Sequence, residues 1–189
     1  MLKNAPCHLL VVPVKQLHIT ELFSPIDLSD QTGSSLEWIN GLNEQLNIDK
    51  VAAMHFYKDA SHYINQVCES PFEVEEVVKE RNALNLKLQT YAKYKINGFI
   101  NSNKHLPNLM VDEYMLARGA ELGETMRKVI NNTKAQMILL TTSRVSSSKP
   151  GILANATDIL NEYQNDKYYL ITKRKEETAG LFKSLLNFA

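Results

Sequence analysis

The clearest indication of the fold class is the run Gln136-Met137-Ile138-Leu139-Leu140-Thr141-Thr142. Its consecutive apolar residues are typical of a strand that is buried on both faces. A helix is predicted from Ile152 to Gln164, a second strand from Tyr168 to Thr172, and a terminal helix from Glu176 to Phe188. A strand, a helix and another strand form a right-handed crossover in which the two strands are parallel. The last third of the chain therefore indicates an α/β arrangement.

The rest of the chain adds one short strand and several helices to this unit. The apolar stretch from Leu9 to Val14 predicts a strand, and a capping box at Ser34 and Glu37 predicts a helix from about Ser35 to Asn47. Periodic apolar residues predict three further helices, at Asp49 to Glu69, Phe72 to Ile100, and Asp112 to Asn131. The prediction is a single α/β or α+β domain over residues 1–189, with a helical middle segment packed against a small sheet of about three strands.

Composition and charge exclude several classes of protein. The chain has 21 Lys plus Arg and 21 Asp plus Glu, so no long-range field attracts a nucleic acid. It has no run of about 20 apolar residues, and the apolar run near its start is broken by Pro13, unlike an export signal. We expect a cytoplasmic protein without membrane insertion, and no motif in it predicts a cofactor.

A possible metal site lies on the polar face of the helix predicted from Asp49 to Glu69. His55, Asp59 and His62 have the spacing i, i+4 and i+7, and imidazole with carboxylate suits zinc or iron. A structural zinc site normally has four ligands, and the sequence does not locate the fourth. A solvated helix face without metal is therefore the prediction.

A second candidate site lies at the end of the strand at Gln136–Thr142 and in the residues that follow it. Ligands in open α/β sheets bind where a strand leads into a helix, and free backbone N–H groups there bind phosphate. The sequence lacks the glycines of a P-loop before Lys149, and a serine-rich surface loop is the alternative interpretation. The candidate phosphate-binding residues are Thr141, Thr142, Ser143, Arg144, Ser148 and Lys149.

A third candidate is a groove for a partner protein. Methionine side chains repack easily and glycines admit a close backbone, so a stripe with both residue types can form such a groove, although ordinary core is the alternative. The groove residues are Met115, Gly119, Leu122 and Met126, with Leu181, Leu185 and Phe188 of the terminal helix.

Function is predicted by elimination. The sequence has no recognised catalytic motif, which favours a non-enzymatic protein-binding module: an adaptor, a secretion or assembly chaperone, or a subunit of a larger complex. Its partner would be another protein of unknown identity. The alternative is a small α/β enzyme, or a nucleotide- or phosphate-binding protein, that uses the loop at residues 141–149.

Overall fold

The residues that the structure describes form an α/β arrangement around a six-stranded sheet. The computed structural model describes residues 8–15, 18–26, 28, 33–64, 68, 70–142 and 166–173. The elements in chain order are β1 (Leu9–Val11), β2 (Glu21–Ile26), α1 (Gly33–Leu46), β3 (Lys50–Lys58), α2 (Pro71–Ser102), β4 (Leu109–Leu116), α3 (Leu122–Asn132), β5 (Met137–Thr142) and β6 (Tyr168–Lys173). The prediction of an α/β class is confirmed, but the sheet has six strands and not about three.

The strand order is β1-β6-β5-β2-β3-β4. Strands β2 to β6 pair with one another in parallel, and β1 joins the edge of the sheet antiparallel to β6. From β2 the chain moves outward through α1 to β3 and through α2 to β4, and it then returns through α3 to β5 on the other side of β2. The direction of winding therefore reverses between β2 and β5, as in doubly wound sheets.

Apolar side chains cover both faces of this sheet. On one face, Ile26 and Leu139 pack with Ile39 of α1. On the other face, Phe56 and Ile138 pack with a cluster that includes Met126 of α3. Because successive side chains of a strand point to opposite faces, each central strand supplies both clusters and is largely apolar.

The region from Asp49 to Glu69 is not a helix as predicted. It contains β3, followed by one 3-10 turn at Ala60–His62. Val51 and Ala53 are buried on the α1 face, while Ala52 and Phe56 contribute to the cluster on the α3 face. A strand that is covered on both faces has no polar alternation, so its apolar residues matched a helical pattern by chance.

The helix predicted from Asp112 to Asn131 is also wrong over its first half. Residues 112–116 belong to β4, a turn follows in which Gly119 has a φ of 84°, and α3 begins at Leu122. A positive φ suits glycine, so Gly119 belongs to the turn between β4 and α3 and does not lie inside a helix.

Other predictions agree with the structure. The helix from Ser35 to Asn47 corresponds to α1, the helix from Phe72 to Ile100 to α2, and the parallel strands to β5 and β6. The strand at Leu9 to Val14 is shorter than predicted, and β2 was not predicted. The helices at Ile152 to Gln164 and Glu176 to Phe188 lie outside the described residues, and the single domain over residues 1–189 stays a prediction. Within the described ranges, no helix has the length and apolar character needed to cross a membrane.

Candidate functional site

The candidate site is a crevice where β2 and β5 separate. Within these two strands the last residue pair is Phe23 with Ile138. Beyond it, β2 continues beside β3 to Ile26, and β5 continues beside β6 to Thr142. Both strands run in the same direction, so their free carboxyl ends open at one edge of the sheet. In doubly wound sheets, ligands bind in this crevice.

A buried hydroxyl connects the two strands at the base of the crevice. Ser24 is fully buried, and its Oγ donates to the carbonyl oxygen of Leu139 at 3.3 Å. A buried hydroxyl without an acceptor would be destabilising, so this bond satisfies Ser24 and holds β5 beside β2 one residue beyond their last pair. The floor of the crevice is therefore closed.

Backbone strain occurs next to the end of β2. Leu28, two residues beyond Ile26, has a φ of 49°. The left-handed region is uncommon for a branched residue and costs about 1 kcal/mol or more. Leu28 also packs against the cluster on the α1 face, and this packing stabilises the strained conformation. Such strain is concentrated at functional sites.

A half-buried polar cluster lies beside the crevice on the α1 face. The ring centroids of His55 and Tyr57 are 6.0 Å apart with an interplanar angle of 21°, and His55 is in register with Glu113 of β4. Gln89 Nε2 of α2 donates to Glu113 Oε1 at 3.0 Å, and Lys93 Nζ is 4.0 Å from the same oxygen. Burial, followed by the negative charge of Glu113, raises the pKa of Tyr57 above its ordinary value. The cluster thus offers stacked rings and a carboxylate close to the strand ends.

His55 also connects this cluster to the crevice itself. It is in register with Ile26, the last residue of β2, and its Nδ1 lies 3.4 Å from the Ile26 carbonyl oxygen. Sequence reasoning missed this relation, because it assigned His55 to a helix and did not detect β2. The apolar pair Leu22-Phe23 is the only local indication of β2 in the sequence. It is short, and the Ser24-Pro25 that follows it disfavours a central strand.

The structure describes part of the predicted phosphate-binding loop. Thr141 and Thr142 are the last residues of β5, in register with Thr172 and Lys173 of β6. They therefore lie at the carboxyl end of the strand that borders the crevice. Ser143, Arg144, Ser148 and Lys149 follow in the sequence and lie outside the described residues.

The three residues considered for metal binding do not share a helix face. His55 lies on β3, Asp59 caps the 3-10 turn that follows, and His62 ends that turn. In the part of the chain that the structure describes, no group of three or more His, Cys, Asp or Glu side chains is placed to hold a metal ion.

The residues of the predicted partner groove lie on different elements. Met115 is on β4, Gly119 is in the following turn, and Leu122 and Met126 are on α3. Met126 is buried in the cluster on the α3 face, where Leu122 packs against it. Leu181, Leu185 and Phe188 lie outside the described residues. Met115 and Gly119 therefore do not share a helical stripe with Leu122 and Met126.

Fold and crevice together define a doubly wound α/β protein with a crevice at the switch point of the sheet, the position where sheets of this kind bind ligands. Neither a family model nor a curated protein matches the sequence. Among solved structures, the chain resembles hypothetical protein MJ0577, with 17% identity over 84% of this chain and 99% of that chain and a TM-score of 0.57. It also resembles universal stress protein UspA from Lactobacillus plantarum, with 12% identity over 85% and 100% of the chains and a TM-score of 0.50. A universal stress protein solved in complex with cAMP has 11% identity over 83% and 98% of the chains and a TM-score of 0.41.

The fold is therefore an α/β fold that resembles that of the universal stress proteins. This finding corrects the prediction of a protein-binding module with another protein as its partner. An adaptor, a chaperone and a complex subunit were inferred by elimination, from the absence of a catalytic motif and from the predicted amphipathic helices, whereas the chain has a mostly parallel sheet with a crevice at its switch point. One of the predicted amphipathic helices on which that inference depended, the one with the methionine-containing stripe, is in fact two elements of different type, β4 and α3.

Proposed function

We propose that this protein binds a nucleotide, or a closely related phosphorylated small molecule, in the crevice between β2 and β5. The observation that carries the proposal is the separation of these two strands beyond Phe23 and Ile138 at the point where the winding of the sheet reverses. Ligands of other open α/β sheets bind at the corresponding position, which supports the proposal. At a switch point, the connections that follow two neighbouring strands run in opposite directions, and this leaves a crevice at the carboxyl ends of those strands.

The residues that follow β5 supply the chemistry for a phosphate group. Thr141 and Thr142 end the strand, and Ser143, Arg144, Ser148 and Lys149 come next in the sequence. Hydroxyls and two cations offer neutral and charge-assisted hydrogen bonds to phosphate oxygens. The net charge of the whole chain is zero, so such an anion would be attracted by these local groups and not by a general field.

The neighbouring cluster favours a ligand that also carries a planar base. His55 and Tyr57 present two roughly parallel rings beside the end of β2, and aromatic rings stack on nucleobases. A phosphate at the end of β5 and a ring near the end of β3 would place the ligand across β2. Nucleotides are the common small molecules with both groups, so we assign them as the ligand class.

The proposal is tested by binding titrations with AMP, ATP and cAMP, with adenosine as the phosphate-free control. We expect saturable binding of at least one nucleotide and much weaker binding of adenosine. The double variant Arg144→Ala with Lys149→Ala should bind at least about tenfold more weakly, because a hydrogen bond to a charged group contributes about 1.5–3 kcal/mol.

A matched variant controls for the loss of two positive charges. Lys87→Ala with Lys104→Ala removes two exposed lysines elsewhere, and it should bind the nucleotide like the wild type. The proposal is wrong if the wild type binds none of the three nucleotides, or if both double variants lose affinity equally.

A further inference from the structure

The sheet has a long edge strand whose outer side is open. At one edge, the three residues of β1 cover the outer side of β6. At the other edge, β4 has eight residues and pairs with β3, and no other strand of the described part of the chain lies against it. A long edge strand presents a row of backbone N–H and C=O groups that can pair with another chain. The outer side of β4 is therefore a candidate interface.

The hydrogen bonds between β3 and β4 show which backbone groups of β4 point outward. The carbonyl oxygen of Asn108 accepts from Val51 N, and the carbonyl oxygen of Leu116 accepts from Asp59 N. Both acceptors belong to even-numbered residues, and the backbone groups of successive strand residues point to opposite sides. The odd-numbered residues of β4 therefore direct their N–H and C=O groups away from β3. In the middle of the strand these residues are Val111, Glu113 and Met115.

The side chains of β4 give this edge little protection against pairing. Met110, Tyr114 and Met115 are 55%, 40% and 44% exposed. Charged side chains commonly keep edge strands apart, but the carboxylate of Glu113 points to α2, where Gln89 donates to it. Asp112 remains as the exposed charge of the strand. The edge is thus apolar along much of its length.

We infer that two copies of this chain associate through their β4 strands, which pair antiparallel about a two-fold axis at Tyr114. A two-fold axis makes each contact occur twice, so one strand can serve as both halves of the interface. The axis at Tyr114 places the two tyrosines side by side and sets Glu113 opposite Met115 of the second copy. The outward backbone groups of these residues then form about four hydrogen bonds.

Other positions of the axis along β4 are less favourable. An axis at Asp112 or at Glu113 would place a carboxylate directly opposite its own copy, and like charges in that position are destabilising. An axis at Val111 would require the N–H of Leu109, which already donates to the Leu106 oxygen. An axis nearer either end of the strand would pair fewer of its residues. The position at Tyr114 avoids all three problems.

Helix α2 supplies charges that agree with the same axis. Gln89 and Lys93 contact Glu113, so α2 lies over β4 close to the level of Tyr114. The two-fold axis therefore sets α2 beside its own copy in the reverse direction. The helix has four glutamates between residues 73 and 80, whereas residues 82–102 contain three lysines and no carboxylate. The acidic half of each α2 thus runs along the basic half of the other, and this complementarity favours a second copy as the partner.

The interface is tested by sedimentation equilibrium of the wild-type chain, which should show a reversible equilibrium between monomer and dimer. Tyr114→Lys places two cations side by side at the axis and should raise the dissociation constant of the dimer at least about tenfold. Tyr91→Lys makes the same change at a tyrosine that is 60% exposed, two residues after Gln89 and so on the opposite side of α2, and it should dimerise like the wild type. A wild type that stays monomeric at its highest soluble concentration, or equal weakening in both variants, would overturn the proposal.

Cysteine substitutions test the position of the axis and remain decisive if Tyr114→Lys does not fold. In a chain with Cys7→Ser and Cys68→Ser, Tyr114→Cys should form a disulfide-linked dimer under mild oxidation, because the two Cα atoms would be about 4.5 Å apart. Met110→Cys lies on the same face of β4, but its two copies would be roughly 25 Å apart and should not cross-link. Equal cross-linking of the two variants on a non-reducing gel would reject the axis.

This interface is independent of the nucleotide proposed for the crevice. Strand β3 lies between β4 and β2, so neither cysteine variant alters the strands that border the crevice. Dimerisation is measured without any ligand, and a chain that binds no nucleotide would still be expected to dimerise.

Discussion

Tyr57 lies in the polar cluster beside β3 and β4, and its surroundings change its acidity. Burial disfavours the phenolate, and the nearby carboxylate of Glu113 disfavours it further, so the pKa of Tyr57 is raised from 10.0 in the folded protein. In the unfolded chain the hydroxyl titrates at about 10. Above this pH the unfolded chain has lost the proton that the folded protein still binds. Stability must therefore fall as the pH rises from about 10 towards the raised pKa of the folded state.

Tyr57→Phe should make the alkaline loss of stability less steep. The variant keeps the ring that packs beside His55 and removes the group that titrates. The free energy of unfolding in urea, measured from about pH 8 to about pH 11, should decrease less for the variant than for the wild type above about pH 10. Tyr63→Phe is the control, because Tyr63 is 60% exposed and its surroundings change little on folding. If the free energy of unfolding decreases equally with pH in the wild type and in Tyr57→Phe, the titration of Tyr57 does not cause the alkaline loss of stability.

Among the elements, the buried strands show how far local sequence can predict structure. The run at β5 was predicted correctly, since six apolar and β-branched residues with polar neighbours are too few for a helix. In β3 the residues Val51-Ala52-Ala53-Met54 include good helix formers, and His55 resembles the start of a polar face. Pairing with β2 and β4 stabilises this segment as a strand. That pairing cannot be inferred from a short stretch of the sequence.

The strand β2 was missed for a reason connected with the site. Pro25 is rare in central strands because it has no N–H to donate. It is tolerated because it lies beyond Phe23, the last residue of β2 that pairs with β5. Pro25, which made β2 resemble a loop in the sequence, therefore lies where the crevice opens.

Helix α2 has a small residue where it faces the sheet, and this position should not accept a large one. Ala92 is 2% exposed, whereas Ala83 on the same helix is exposed. Ala92→Leu should lower the free energy of unfolding by about 1–3 kcal/mol through overpacking. Ala83→Leu adds the same atoms to a solvated position and should change stability by less than about 0.5 kcal/mol. Chemical denaturation of the two variants measures both values, and similar values would mean that α2 packs loosely at Ala92.

For the whole molecule, the candidate site depends on contacts between distant parts of the sequence. The loop at residues 141–149 could be selected from sequence, because a buried strand leads into a predicted helix there. Strand β2, which forms the other side of the crevice, could not be selected from sequence. It is separated from β5 by more than 100 residues, and the strand order follows from the winding of the whole sheet. The roles of His55 and Ser24 depend on that order, and no local spacing indicates them.

The two halves of the sheet are joined at their amino ends by one side chain. Gln136 Oε1 accepts from Thr20 N at 3.0 Å, from Thr20 Oγ1 at 3.3 Å and from Glu21 N at 2.9 Å. Its backbone N donates to the Glu21 oxygen at 3.1 Å, and its backbone oxygen accepts from Tyr168 N at 2.8 Å. Since β2 and β5 share two residue pairs, Leu22 with Met137 and Phe23 with Ile138, this side chain adds a substantial part of the connection between them.

Gln136→Ala should therefore destabilise the whole sheet. The substitution leaves two partly buried backbone N–H groups without their acceptor, and we expect a loss of about 1–3 kcal/mol in the free energy of unfolding. For a chain of this size, each kcal/mol corresponds to a decrease in melting temperature of about 2–4 °C. Gln45→Ala removes the same side chain from an exposed position on α1 and should stay within about 0.5 kcal/mol of the wild type. If the two variants melt together, the β2–β5 junction is maintained by the strand pairs and the apolar clusters alone, and Gln136 has no special part in it.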